Sequence, residues 1–373
     1  MGCIRPPCGV PSPVRTPGPP GTGHQSPCAD RGSPARFPRE ADRPLARLES
    51  PSGVTVLGEC VADAFTDPAL SGPSELALRA LPGGGPANTA VALARLGTPT
   101  RFLGRLSHDV FGTLFRSRLS DSGVDLSGSV TAPEPSTLAV ATLDETGQAT
   151  YTFHADNTAD WQWTADELSA TQHDGTVCLH TGSLALIRQP GGSRIEDHLA
   201  KAHERVTVSI DPNVRPLLVP PSAYRERLPR WCALADILRL SEDDLALLLP
   251  GASPEEACDT WHAAGARLVV ITLGSRGALA SLDGLRVTVP APAVNVVDTV
   301  GAGDSFTAGL LHRLAALGHL GGRLDRLSLQ DVTEACAFAA RVAALTCSVA
   351  GANPPRAGEP SLKTGIERLL PHA

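Results

Sequence analysis

Two stretches of this chain combine residue types that could handle a phosphoryl group and the hydroxyl that attacks it. The first is Asp298-Thr-Val-Gly301-Ala302-Gly303-Asp304-Ser-Phe306. Downstream, Phe306, Leu310, Leu314 and Leu317 recur at helical spacing and Gly318 suits the position just past a helix. The spacing therefore predicts a helix that begins at the glycines. N–H groups at such a start lack intrahelical acceptors and the helix dipole favours negative charge, so small residues there can cradle an anion. A carboxylate in that place would repel phosphate, unless Asp304 accepts the proton of an attacking hydroxyl. The other reading makes Asp304 a helix cap. Local chemistry leaves both open.

The second stretch is Leu81-Pro-Gly83-Gly84-Gly85-Pro86-Ala-Asn88, which runs on through an alanine-rich segment to Gly97. Pro86 suits a first helical turn and Gly97 a helix end. The glycines leave backbone amides bare beside Asn88, whose side chain can both donate to and accept from hydroxyls. A tight turn before an ordinary core helix reads equally well. Asp63 follows the apolar run Val54-Thr-Val-Leu57. If that run is a parallel strand, Asp63 leaves its carboxyl end, where ligands bind in open α/β sheets. A solvated loop aspartate is the alternative.

Other nucleotide sites are excluded. No Gly-x-x-x-x-Gly-Lys-Ser/Thr segment occurs, and neither Lys201 nor Lys363, the two lysines of the chain, follows a glycine loop. Cationic contacts to phosphate must therefore come from arginine. No dinucleotide fingerprint follows an early strand. A net charge of −7 argues against nucleic acid or an anionic membrane as partner. No apolar run of about 18 residues is present, so no membrane-spanning helix is expected. Of the nine cysteines, Cys60, Cys178, Cys232, Cys258, Cys336 and Cys347 sit singly in apolar or helical stretches. Buried free thiols in a reducing cytoplasm account for them. Cys3, Cys8 and Cys28 lie in the N-terminal block.

The elements that must position these residues begin near Val54. Residues 1–52 are dense in Pro, Gly, Ser and Arg without apolar periodicity, which predicts a disordered extension. Strands are expected at 54–58 and 100–106, with a helix over 111–119. Residues 137–143 and 149–154 alternate apolar and polar around Asp144-Glu-Thr-Gly147, the pattern of a hairpin with one solvated face. Short apolar runs at 176–180, 206–210, 237–240 and 267–273, with helical stretches between them, imply a parallel sheet covered on both faces.

Taken together, these segments resemble the ribokinase-like (pfkB) carbohydrate kinases across essentially all of residues 54–357. Gly83-Gly-Gly-Pro-Ala-Asn-Thr-Ala90 with Ala94-Arg-Leu-Gly97 matches one family signature, and Asp298 to Gly309 the other. The resemblance implies an α/β fold, a three-layer α/β/α sandwich with a mainly parallel central sheet and a small β lid. It places the kinase domain at 53–357, the lid at about 65–82 and 135–156, and a tail at 358–373. Asp304 then corresponds to the catalytic base, with Gly301, Ala302 and Gly303 as the anion hole. Asp63, Gly84, Gly85 and Asn88 fall where the sugar is held. Thr272, Gly274, Ser275 and Gly277 correspond to the nucleotide loop, and residues 344–351 to the wall near the adenine and the monovalent-cation loop, to which Asp298 contributes. ATP and Mg²⁺ are the implied cofactors, with K⁺ as a further one.

One stretch departs from the family pattern. Where many members carry Asn-x-x-Glu, this chain reads Ser241-Glu-Asp-Asp244. Asp244 keeps a carboxylate that could act on Mg²⁺ through water. Asp211-Pro-Asn213-Val-Arg215 resembles a segment of fructokinases and 2-keto-3-deoxygluconate kinases, with Asn213 and Arg215 reaching sugar or phosphate oxygens. Bacterial fructokinases are the nearest resemblance, so the expected reaction is transfer of the ATP γ-phosphoryl group to fructose. A 2-keto-3-deoxygluconate kinase, a nucleoside kinase and a non-catalytic sugar or nucleotide sensor remain as alternatives. A homodimer through the lid is a further expectation.

Overall fold

The structure, a computed structural model, describes residues 53–67, 69–143, 149–171, 175–359 and 362. The expectations for 1–52, for the hairpin turn at 144–148 and for most of 358–373 lie outside the described residues.

The first elements set the plan. β1 (Gly53–Leu57) is a buried apolar strand. Three residues, Gly58–Cys60, lead from it into β2 (Val61–Thr66), which belongs to a different sheet. β3 (Leu78–Gly83) returns antiparallel to β2 and delivers the glycines to α1 (Gly85–Arg95). Pro86 takes the first turn of α1, where its missing N–H costs nothing. β4 (Thr100–Leu103) pairs parallel with β1.

The single strand expected over 100–106 breaks at Gly104. There a Cβ would sit 2.4 Å from the Phe102 ring, and the chain turns to pair β5 (Arg105–Ser107) with β6 (Val130–Ala132) across α2 (Val110–Asp121). β7 (Leu138–Leu143) and β8 (Ala149–His154) are antiparallel, as the alternation predicts.

The second half alternates helix and strand. In order come α3 (Ala165–Ser169), β9 (Thr176–Gly182), α4 (Ser183–Ile187), α5 (Gly191–Ala202) and β10 (Thr207–Asp211). Then follow α6 (Pro221–Leu234), β11 (Ile237–Ser241), α7 (Glu242–Leu248), α8 (Pro254–Ala263) and β12 (Leu268–Thr272). β13 (Ala278–Leu282) and β14 (Leu285–Val289) form an antiparallel edge before α9 (Ala302–Ala316) and α10 (Leu329–Cys347).

The central sheet has eight strands in the order β14-β13-β12-β11-β10-β9-β1-β4, and its pairs are parallel from β12 to β4. Helices cover both faces, so its strands are apolar almost throughout rather than alternating. Successive residues feed opposite layers. Val54, Val56, Ile237, Leu268 and Val270 join the core under α1, α9 and α10. Leu57, Leu179, Val208, Leu238, Leu240 and Val269 join the core under α5, α6 and α8. This is the three-layer α/β/α sandwich.

The lid is a four-stranded sheet, β3-β2-β7-β8. It starts at Val61, earlier than the expected 65, and this corrects the placing of Asp63. That residue does not leave the end of a parallel strand; it sits within lid strand β2, opposite Leu81 and Ala139. Among the described residues no helix is long and apolar enough to cross a membrane. Cys60, Cys178, Cys232, Cys258 and Cys336 are buried free thiols and Cys347 is half-buried.

Candidate active site

One cavity of about 710 Å³ opens between the carboxyl ends of the parallel strands and the lid. Its floor is the start of α9. Asp298 ties the preceding loop in place by accepting hydrogen bonds from the Val300 amide (3.0 Å) and the Gly351 amide (2.8 Å). Gly301 then turns the chain at φ 76°, a left-handed conformation that glycine adopts without strain. Ala302, Gly303 and Asp304 follow as the first helical residues, their amides at the positive end of the helix.

Asp304 does not cap this helix. The N-cap is Gly301, and one Asp304 carboxylate oxygen, Oδ2, accepts from Asn88 Nδ2 at 2.9 Å. The two sequence stretches thus meet across a single hydrogen bond.

The three glycines at the start of α1, from the end of β3 to the first helical residue, each make room for a polar group. A Cβ at Gly83 would lie 2.1 Å from Asp63 Oδ2, one at Gly84 2.7 Å from the Glu59 carbonyl, and one at Gly85 2.6 Å from Asn213 Nδ2 and 3.2 Å from Asp304 Oδ1. Asp63, Asn88, Asn213 and Asp304 therefore line one polar wall because the backbone between them carries no side chains. Arg215 is exposed at its rim, and its positive charge acts on both Asp63 and Asp304.

Burial pushes the Asp63 carboxyl up to about 6, against the pull of Arg215. Asp304 is also raised to about 6. Burial is the largest cause, the Asn88 hydrogen bond opposes it, nearby Asp211 adds to it, and Arg215 and Arg239 offset part of it.

Beneath α9 lies a row of polar side chains on the sheet, of which the sequence reading named Thr272 and Asp211 but not Arg239 or His180. Arg239 of β11 is buried and donates to Asp211 Oδ2 at 2.7 Å and to Thr272 Oγ1 at 2.8 Å. Its guanidinium lies under Gly303, where a Cβ would stand 2.8 Å from Nη1, and 5.8 Å from the Phe306 ring centre. His180, held by Ser209 at 3.0 Å, is driven down to about 3 by burial and by Arg239, so it stays neutral. The signal for Arg239 was available. A charge at an inward position of the apolar run Ile237-Leu-Arg239-Leu240 has no structural reason to be there unless something pairs with it.

The far end of the cavity is lined by Thr272, Leu273, Gly274, Ser275 and Arg276, with Glu242, Asp243 and Asp244 opposite. Asp244 closes a capping box on α7. Oδ2 accepts from the Ser241 amide and hydroxyl, and Oδ1 from the Val214 amide at 2.7 Å. Both oxygens are thus already bonded to protein, and the second bond fixes the backbone between Asn213 and Arg215.

Of the residues expected at the site, Asp298, Gly277 and the stretch 344–351 lie outside the cavity lining. Gly277, at φ 96°, faces β14 instead, where a Cβ would fall 1.9 Å from the Val289 carbonyl. That close approach of β14 requires a glycine whatever the loop binds. Glu59, Thr137 and Ser183 line the cavity without having been expected there. Glu59 accepts from the Ala185 amide at 3.0 Å, and burial raises its carboxyl to about 7. Among the described residues no three ligating side chains converge on a metal position.

Comparison with known proteins agrees with this geometry. A fructokinase of Rhizobium leguminosarum bv. trifolii is 39% identical over 233 residues, 62% of this chain and 71% of that one. The crystal structure of a Xylella fastidiosa fructokinase with bound ATP superposes with a TM-score of 0.75 at 25% identity, covering 85% of this chain and 98% of that one. A Vibrio cholerae fructokinase in its fructose-, ADP- and calcium-bound form gives 0.68 at 29% identity, over 86% and 99% of the two chains. The pfkB family carbohydrate kinase model matches residues 52–357, so it spans both glycine stretches and every strand described, and the chain belongs to that family.

Proposed function

We propose that this carbohydrate kinase transfers the γ-phosphoryl group of ATP to a hydroxyl of fructose, with Asp304 as the general base. The observation that carries the reading is the position of Asp304. Its carboxylate stands at the start of α9, beside first-turn amides that can hold an anion, and bonds directly to Asn88 of the polar wall. A hydroxyl held by that wall would face the carboxylate on one side and the transferring phosphoryl group on the other. As the O–P bond forms, Asp304 takes the hydroxyl proton while ADP leaves with the electron pair of the broken P–O bond. The amides of Gly301 and Gly303, with Arg239 beneath them, oppose the developing negative charge, and the Ala302 amide, which donates to the Thr299 carbonyl in this structure, joins them if that turn bond opens.

Asp63, Asn88, Asn213 and Arg215 hold the sugar, with Gly84 and Gly85 leaving it room. Thr272, Gly274 and Ser275 face the nucleotide. Asp244 acts through the Asn213–Arg215 backbone that it fixes. Mg²⁺ bound with the nucleotide would neutralise charge on its phosphates, and Asp244 is the carboxylate of the lining that would face it through water. K⁺ beside the loop that Asp298 anchors belongs to the same reading. Fructose is supported by the names of the relatives and by the Asp211-Pro-Asn213-Val-Arg215 segment.

Coupled measurement of ADP release decides the acceptor. Fructose should stimulate release, and ribose, adenosine and 2-keto-3-deoxygluconate should not approach its kcat/KM. Turnover of another acceptor in preference to fructose overturns the substrate assignment. No stimulation by any acceptor favours a sensor.

The rate should also depend on pH in a defined direction. A base must be unprotonated, and Asp304 sits at about 6. kcat/KM for fructose is therefore expected to be flat above about pH 7 and to fall about tenfold per pH unit well below 6. A profile still flat at pH 5 would remove Asp304 from the role.

A further inference from the structure

The chain crosses between body and lid four times: at Gly58–Cys60 into β2, at Gly83–Gly85 out of β3, between β6 and β7, and after β8. One side chain touches three of these crossings. Asp160 lies in the short 3-10 turn Ala159–Trp161, where the chain re-enters the body after β8. Its Oδ1 accepts from the Cys60 amide at 3.0 Å, at the first crossing. Oδ2 accepts from Thr137 Oγ1 at 2.7 Å, at the third.

The surrounding bonds draw the same segments together. Thr137 Oγ1 meets Thr158 Oγ1 at 2.6 Å, the Thr137 carbonyl accepts from the Ala62 amide, and the Pro135 carbonyl accepts from the Ala159 amide. The remaining crossing is pressed against the first, since a Cβ on Gly84 would lie 3.2 Å from Cys60 Cα. Next to Asp160, Trp161 is buried in the body core, with its Nε1 bonded to the Ala155 carbonyl. The junction is therefore anchored on the body side.

This carboxylate is only 2% exposed, and among the described residues no cation forms an ion pair with it. Its donors are neutral: a hydroxyl and backbone amides. Burying a charge on such terms is unfavourable, and a neutral residue of the same size would avoid the cost. What a carboxylate offers is two acceptor oxygens with no donor of its own, so one rigid group can hold two separate crossings at once. An asparagine must turn its NH₂ toward either the Cys60 amide or the Thr137 hydroxyl.

We infer that Asp160 is a positioning residue for the sugar step, joining the lid's crossings so that Asp63 on β2 and Thr137, the residue before β7, reach the cavity in a fixed orientation. It touches no substrate. Its effect reaches the sugar through the lid and through Thr137, which lines the cavity. The nucleotide end, built on β11, β12 and α9, lies on the body and is independent of it.

The inference rests on the sugar-kinase reading for its kinetic consequence but not for its structural one, and the test separates the two. In the full chain, Asp160→Asn should speed deuterium uptake at the amides of 61–66 and 138–142 by about tenfold or more, with β9 to β12 unchanged. With fructose as substrate, its KM should rise about tenfold while the KM for ATP stays within about twofold, and the share of ATP hydrolysed without sugar phosphorylation should grow. Thr137→Val, which cuts one of the two bonds, should shift the same quantities less, and Thr137→Ser should restore them. This pair decides the matter if Asp160→Asn does not fold.

Unchanged lid uptake, or uptake raised equally in both sheets, overturns the inference. So does a loss that falls equally on the two substrates. If the unaltered protein shows no sugar-stimulated ADP release, the proposed function fails, while the uptake comparison still reads Asp160.

Discussion

Asp304→Asn should lower kcat by about 10²–10⁴-fold, the range lost with a general base, while leaving the affinities for ATP and sugar within a few-fold. The substitution preserves shape, and the new amide oxygen can still accept from Asn88 Nδ2, so the polar wall survives. What disappears is an atom able to take the hydroxyl proton. Single-turnover measurement with rapid quenching reads the chemical step directly. A near-normal rate there would mean that the proton leaves by another route.

The same variant should gain stability, and the sign follows from linkage. Asp304 is raised in the folded protein from 3.8 to about 6, so folding holds its proton more tightly than the unfolded chain does. Ionisation therefore costs folding free energy at pH above about 6, and the cost vanishes below about 3.8. Its upper bound is about 3 kcal/mol, and the opening of the cavity to water reduces this. Asp304→Asn should accordingly melt higher than the parent at pH 7.5 and show no such gain near pH 4. Activity and stability pull against each other at this position.

How much of this was legible in the sequence depended on the range of the interaction. The Gly301–Asp304 and Gly83–Asn88 stretches declared themselves because a helix start is local: small residues, then an apolar period, fix where the amides point. Strand runs were equally readable, since a parallel sheet covered on both faces requires continuous apolar segments. Asp63 was misplaced because strand and lid are separated by only three residues, and nothing local says that a second strand, rather than a loop, begins at Val61. Gly277 was legible as a loop glycine, but the approach of β14 that also demands a glycine there is a tertiary contact no local pattern announces. Asp160 carried no local signal at all. Its partners Cys60 and Thr137 are 100 and 23 residues away and become neighbours only when the lid folds back.

Arg239 is the intermediate case, anomalous in the sequence but interpretable only in three dimensions, and its removal should have the second-largest effect. In Arg239→Met the stem volume is kept and the charge beneath Gly303 is lost. Removing one preorganised group that opposes developing charge costs about 10²–10³-fold in kcat, and Arg239→Lys, which keeps a cation but not the fork that joins Asp211 to Thr272, should recover only part of it.

Stability should fall as well, by about 3–5 kcal/mol, because Asp211 is left as a buried carboxylate without its partner. Adding Asp211→Asn to Arg239→Met neutralises that orphan and should return most of the stability while returning none of the activity. A purely structural role for Arg239 predicts the opposite, with rate recovering alongside the melting temperature.

The pH profile supplies an independent check of the same geometry. Arg239 lowers the Asp304 carboxyl and Asp211 raises it. The acid limb of kcat/KM should therefore move to higher pH in Arg239→Lys if the cation recedes, and to lower pH in Asp211→Asn. Shifts in opposite directions from two bonded partners can arise only if both face the group that titrates, and a profile that ignores both substitutions would separate Arg239 from the reaction.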